Sequence, residues 1–312
     1  MATQADLNTI SNAINSAFST ALAGGAPSPI YITPPPTPDT NTITATSALT
    51  SYIQQCGKNI TDIMNLYSFI KGCIDLGIWN NMFCFPMRLG QNSITGNMFY
   101  SLGGLLSTTG TLFNTAYKAQ NGTRTDGLTG YAELSTNTFW QSISTGDFTV
   151  NAVTVTPTRS VNTDVTIVGK GTAESGSEGF KIGILPNNQY HVSIHGPDVY
   201  VIDTYKTIND TNGHFSSLGR RSTSGGILTG IGFSYIDGTY TEQTPSGSGN
   251  LSVDMNTWSN KTYIGYYYYN SSNYFNGAVP FVSLHNTNLT QPQLTAFNLL
   301  YKKTLGQGLN LP

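Results

Sequence analysis

The chain predicts a mainly β protein, an antiparallel sandwich preceded by a helical and proline-rich N-terminal region. Beyond Lys118, short stretches of alternating apolar and polar residues are punctuated by turn signals roughly every ten residues, the spacing of a sandwich. Two dipeptides that tolerate positive φ, Asp237-Gly238 and Asn276-Gly277, stand between aromatic or apolar runs as hairpin turns do. Charged residues make up only 10% of the 312 and apolar residues 38%, so a core can form while Thr, Ser, Asn and Gly cover the surface. Neutral polar surfaces of that kind suit β-rich proteins built into large assemblies.

From the N-terminus, Leu7, Ile10, Ile14 and Phe18 recur at three- and four-residue spacing, the stripe of one helix with an oligomerisation or docking seam. The polar side of that helix has almost no Lys or Arg, which does not fit a membrane-surface helix. Gly24 to Pro29 ends it, and Pro34-Pro35-Pro36-Thr37-Pro38 predicts a stiff extended spacer. A second stripe, Leu49, Tyr52, Ile53, Cys56, Ile60, Ile63, Met64, Tyr67, Ile70 and Ile74, predicts one long helix or two broken near Gly57. The expected division is therefore an anchoring helix at 1–23, a Pro/Thr-rich stalk at 24–46, a helical segment at 47–77 and a sandwich at 78–312.

Within the sandwich, Phe148 to Val155, Tyr190 to Ile194 and Val199 to Ile202 alternate as strands, and Ile231, Phe233 and Tyr235 point opposite to Gly232 and Ser234. Near the end, Thr290 is placed to cap a helix whose Leu294, Phe297, Leu300 and Tyr301 share a face. Tyr263-Ile264-Gly265, then Phe275-Asn276-Gly277 with an apolar run to Leu284, then Leu289-Thr290-Gln291, resemble the closing strands and short helix of concanavalin A-like (LamG-like) jelly rolls. The aromatic strand before Asp237-Gly238 is similar to a hairpin of the same family.

Phe69-Ile70-Lys71-Gly72, Gly77-Ile78-Trp79 and the aromatic Met82-Phe83-Cys84-Phe85 resemble the segment that precedes lectin-like domains in tail-fibre and other virion proteins of tailed bacteriophages. That resemblance implies a structural fibre or spike protein of a phage particle, assembled in the host cytoplasm and partnered by other virion proteins. A seam as narrow as Leu7, Ile10, Ile14 and Phe18 is marginal as a lone helix and so implies oligomerisation, a homotrimer being the usual fibre solution, and host-surface carbohydrate is a candidate ligand. A capsid or neck cement protein without a ligand is the alternative, and a polysaccharide hydrolase or a surface adhesin the more distant ones.

Net charge is −2, so no electropositive field recruits nucleic acid. Cys56, Cys73 and Cys84 are an odd set without zinc or redox spacing and predict free thiols; no secretory leader and no run of about 18 apolar residues is evident, so cytoplasmic synthesis without membrane insertion is expected. Sandwich hydrolases need two carboxylates about 5 Å apart for retention, supplied from alternate positions of one strand. Glu133, Glu174, Glu178 and Glu242 provide no such strand, and a non-enzymatic protein is expected. His191 and His195 are four apart on a strand, about 13 Å along it, too far for one zinc. No metal and no cofactor is therefore expected.

The run Tyr266 to Tyr269 is read as continuing the strand from Tyr263, with rings on both faces. Tyr267, Tyr269, Asn270 and Tyr274 are the candidate glycan-binding residues, because exposed rings stack on sugars while neighbouring amides and hydroxyls bond to them. The same run equally suits the groove of a trimer or packing beneath loops. Trp140 and Trp258 fit core or rim.

Overall fold

Asp39 sets the start of the first described helix, α1 (Thr40–Cys56), by accepting the Thr42 N–H at 2.7 Å. The structure, a computed structural model, describes residues 39–57, 60–93, 96–143, 146–158, 164–171, 179–186, 189–195, 199–207, 213–223, 226–244, 246–247, 255, 261–266 and 274–312. The seam at Leu7, Ile10, Ile14 and Phe18 and the Pro-rich spacer lie outside them. Helix α1 begins inside the segment expected to be stalk. Its threonines, poor helix formers, return their hydroxyls to the carbonyl one turn back, Thr44 to Thr40, Thr46 to Thr42 and Thr50 to Thr46. Gly57, at φ 83°, ends α1, so the long stripe is two helices. The second is α2 (Ile63–Asp75). A short helix α3 (Asn137–Ile143) and the C-terminal α4 (Gln291–Lys303) complete the set. Thr290 caps α4 as predicted, in a reciprocal box with Gln293.

The strands are β1 (Met82–Pro86), β2 (Met98–Tyr100), β3 (Leu102–Gly103), β4 (Thr109–Phe113), β5 (Tyr117–Ala119), β6 (Gly122–Asp126), β7 (Tyr131–Leu134), β8 (Phe148–Thr158), β9 (Val165–Lys170), β10 (Gly179–Ile184), β11 (Gln189–His195), β12 (Val199–Thr207), β13 (His214–Thr223), β14 (Gly226–Ile236), β15 (Thr239–Gln243), β16 (Ser246–Gly247), β17 (Thr262–Ile264) and β18 (Asn276–His285). They form two antiparallel sheets. One runs β15-β14-β13-β8-β18-β1-β3, with β6 also on β18 and β5 on β6; the other runs β16-β12-β11-β10-β9-β17-β7-β4-β2. The sandwich thus opens at Met82, well before the alternating text that first announced it.

Alternation along the strands decides what each face meets. Phe83, Phe85, Val150, Ala152, Val282 and Leu284 face Ile167, Ile182, Val192 and Ile264 in the core between the sheets. The intervening Met82, Cys84, Val153, Phe233, Tyr235 and Phe281 face the other way, onto Leu49, Tyr52, Leu66, Leu294 and Tyr301 of the helices. Phe69 of α2 meets Phe281 edge-on at 5.7 Å and Phe297 of α4 at 5.8 Å. The helical segment is therefore a third layer of the body and not a spacer. The buried side chains of α1, α2 and α4 all go to the first sheet, and those of α3, Phe139 and Trp140, go between the sheets.

One hairpin signal holds and one does not. Asp237 and Gly238, at φ 46° and 86°, form the tight turn between β14 and β15. Asn276 and Gly277 instead begin β18 and pair with β6 and β8. Gly277 is required there because the buried Phe275 ring lies against its Cα, where a Cβ would collide with it.

Candidate functional site

The outer face of the second sheet carries what the helices cover on the first. Along β7, Ala132 and Leu134 point to the core while Tyr131 and Glu133 point out. Register places Phe113 of β4 beside Tyr131, and Thr111 and Tyr263 on either side of Glu133. Phe113 and Tyr131 stack at 4.9 Å and 10°, as facing residues of neighbouring strands can. The row then continues past the sheet. Tyr131 lies 5.2 Å from Tyr266, and Tyr266 stacks on Tyr274 at 5.0 Å and 25°. Tyr263 meets Tyr266 edge-on at 5.7 Å from beneath.

Two local devices hold the ends of this row. At one end the chain leaves β17 at Gly265, whose φ of 77° breaks the strand, so Tyr266 does not continue it as expected. The Phe275 N–H donates to the Gly265 carbonyl at 3.0 Å, which brings Tyr266 and Tyr274 side by side. At the other end, Asp126 accepts the N–H groups of Leu128, Thr129 and Gly130 at 2.9, 3.0 and 2.9 Å, and the Thr115 hydroxyl as well. Burial alone would raise the Asp126 carboxyl. The Thr115 hydroxyl and the three N–H groups outweigh it and hold the pKa well below the ordinary carboxylate range.

Beside the row, Lys261 Nζ sits 2.7 Å from Glu133 Oε1, and its hydrogen bond to that carboxylate raises the Lys261 pKa. Desolvation, then the charge of Glu133, raises the pKa of Tyr131. Its hydroxyl stays protonated and able to donate at neutral pH. The arrangement offers half-buried rings with hydroxyl edges and one ion pair, groups that hold a neutral polyol ring by hydrogen bonds and C–H contacts.

Of the predicted glycan residues, Tyr274 belongs to this row, while Tyr267, Tyr269 and Asn270 fall between Tyr266 and Tyr274 in sequence and outside the described residues. Trp258, Glu174 and Glu178 are also outside them. Trp140 is core, its Nε1 donating to Thr136 and Thr262. Phe113 and Tyr131 were not singled out in the sequence, and Tyr266 was read only as the start of the tyrosine run. The only local trace of them is the Tyr131-x-Glu133 alternation.

The remaining sequence candidates are engaged elsewhere. His191 is bonded to Asp203 at 2.8 Å and stacked on Tyr205 at 4.8 Å. Glu242 pairs with Arg221 at 3.1 Å and accepts the Tyr240 hydroxyl at 2.7 Å. Among the described residues no cluster of His, Cys, Asp or Glu is arranged to hold a metal ion. No described helix is long and apolar enough to cross a membrane.

No protein-family model matches the chain, and no curated protein matches it either. Solved structures do. A mutant of Trypanosoma rangeli sialidase displaying trans-sialidase activity superposes with a TM-score of 0.52 at 14% identity, over 85% of this chain and 39% of that one. Trypanosoma rangeli sialidase in complex with sialic acid gives 0.50 at 15% identity, over 71% and 33%. This chain therefore spans between 33% and 39% of those sialidases. At such identity the likeness is one of fold, and it agrees with the two-sheet antiparallel sandwich. The binding domain of botulinum neurotoxin DC, solved with rat synaptotagmin II, is more distant, with a TM-score of 0.44 at 10% identity over 67% of this chain and 50% of that one.

Proposed function

We propose that this chain is a non-enzymatic recognition module of a bacteriophage particle, a fibre or spike protein whose sandwich binds host-surface carbohydrate. The observation that carries the reading is the aromatic row Phe113, Tyr131, Tyr266 and Tyr274, half-buried on the outer face of the second sheet while helices cover the first. A row used only for packing would be sealed by another element of the chain. Here Phe113, Tyr131, Tyr266 and Tyr274 are only partly buried, and Lys261, paired to Glu133, keeps 43% side-chain exposure. Tyr267, Tyr269 and Asn270, which follow Tyr266 in sequence and lie outside the described residues, complete the proposed set. The virion setting rests on the Gly77-Ile78-Trp79 and Met82–Phe85 resemblance and on the neutral polar surface. Other virion proteins are its partners, and it joins them as a trimer through the Leu7, Ile10, Ile14 and Phe18 seam.

The test is a glycan array probed with the whole chain, followed by competition of the best sugar against particle adsorption to host cells. Reproducible binding that falls about tenfold or more on Tyr131→Ala and Tyr274→Ala, and that blocks adsorption, is expected. Silence on the array, or binding untouched by both substitutions, would leave the cement role in its place.

A further inference from the structure

At one flank of the sandwich, β12 and the edge strand β15 face one another across a cleft of about 100 Å3. We infer that this cleft binds a carboxylate group. It lies apart from the aromatic row, and no reading of the row depends on it.

Hydroxyls line much of the cleft, from Thr204 of β12, Ser234 of β14, and Thr239 and Thr241 of β15, with Tyr205 and Lys206 beside them and the side chain of Ile236 and the threonine methyls giving an apolar part. Ser234 is the first clue. It is 1% exposed, and its Oγ has no hydrogen-bond partner, although it sits directly opposite Thr241 in the β14–β15 ladder. A buried hydroxyl without a partner is disfavoured, and one lining a cleft is a donor kept for a ligand.

Lys206 is the second. Its ammonium donates to the carbonyls of Ile236 and Asp237 at 2.8 and 3.3 Å and to Thr239 Oγ1 at 3.0 Å. These acceptors are neutral, and no described carboxylate forms an ion pair with it. The two acids nearby are turned to histidines, Asp203 to His191 and Asp237 to His214. A partly buried cation without a counter-charge sets a positive potential in the cleft. Because Thr239 accepts from Lys206, its own proton is free to point at a ligand, which hands the lysine's polarisation on.

Size and charge then select the ligand. The volume admits a carboxylate or a few waters, and it is too small for a whole sugar ring. Lys206 is the one charged residue of the lining, so it balances a single negative charge, whereas a phosphate dianion would need a second cation. The carboxylate comes from an acidic sugar unit at the cleft mouth or from a free small acid.

The experiment titrates the whole chain, at constant ionic strength, with sodium acetate, sodium glucuronate and glucose while the threonine methyl signals are followed by NMR. Saturable shifts of Thr204, Thr239 and Thr241 with both carboxylates, and none with glucose, are expected. Lys206→Gln should weaken binding about tenfold and Ser234→Ala about threefold. Since Lys206 also ties the two strands together, Thr241→Val, outside its bonds, gives an independent reading and should weaken binding too. Glucuronate binding about tenfold tighter than acetate assigns the carboxylate to a sugar; a smaller ratio assigns it to free acids. Absence of saturation, an equal response to glucose, or full affinity in both Ser234→Ala and Thr241→Val overturns the inference.

Discussion

If Phe113 and Tyr131 form the first step of a stacked row, a double-mutant cycle must find them coupled. Their rings lie 4.9 Å apart at 10°, on strands whose register sets the two residues opposite one another. Truncating each to Leu, alone and together, should return a coupling energy of about 0.5–1.5 kcal/mol, with the lower half expected because both rings are only half-buried. Tyr131→Ala should cost more. It abandons ring contacts with Phe113, Tyr266 and Tyr263 and exposes part of the apolar surface beneath, about 2–4 kcal/mol in all. Urea denaturation followed by circular dichroism gives each value, provided the transitions stay two-state. Tyr205, 47% exposed on β12 and five strands from β7 in the same sheet, is the control partner, and its coupling to Tyr131 should vanish within about 0.5 kcal/mol. Tyr131→Phe should retain the stability and lose sugar affinity, since the ring stays and the hydroxyl goes. A Phe113–Tyr131 coupling no larger than that control would refute the stacked row and remove the surface on which the proposed binding rests.

Two further outcomes follow from the buried side of the first sheet and from the closing strand. Burial pushes the His285 pKa down to about 3, against an ordinary value of 6.5, with Asn151 Nδ2 at 3.0 Å from its Nε2. The unfolded chain therefore takes up a proton that the folded one refuses, so stability is full above about pH 6.5 and is lost as pH falls toward 3, on the order of a few kcal/mol. His285→Gln should flatten the urea midpoint over that window relative to the parent, and parallel slopes for the two would contradict the assignment. Gly277→Ala should cost about 1–3 kcal/mol by driving a Cβ into the Phe275 ring, and Phe275→Leu in the same chain should recover part of it. Gly238→Ala, at φ 86° with open space around it, should cost about 1 kcal/mol and gain nothing from Phe275→Leu.

Much of the scaffold could be read from local text, and the reasons are local. Thr290 and Gln293 announce a capping box because both partners lie within one turn of the same helix. Asp237-Gly238 announces a hairpin because two consecutive positive φ angles leave few residue choices. Asn276-Gly277 carries the same letters for another reason: its glycine makes room for a ring two residues earlier, a matter of packing that turn statistics do not hold. Helix α1 starts seven residues before the expected segment at Ser47, because the Asp39 cap fixes its start and the burial of Ala45, Leu49, Tyr52 and Cys56 outweighs a composition unfavourable to helix.

The candidate site was legible only at one edge. Tyr274 could be named from its neighbours, whereas Phe113, Tyr131 and Tyr266 come from β4, β7 and the end of β17 and meet only through strand register. Sequence by itself settled the strand periodicity, the main caps and one of the turns, since each depends on residues a few positions apart. Tertiary structure alone decided that the helices cover one sheet, and that rings far apart in the chain form a row on the other. Which face of a strand is sealed depends on what the rest of the chain brings to it.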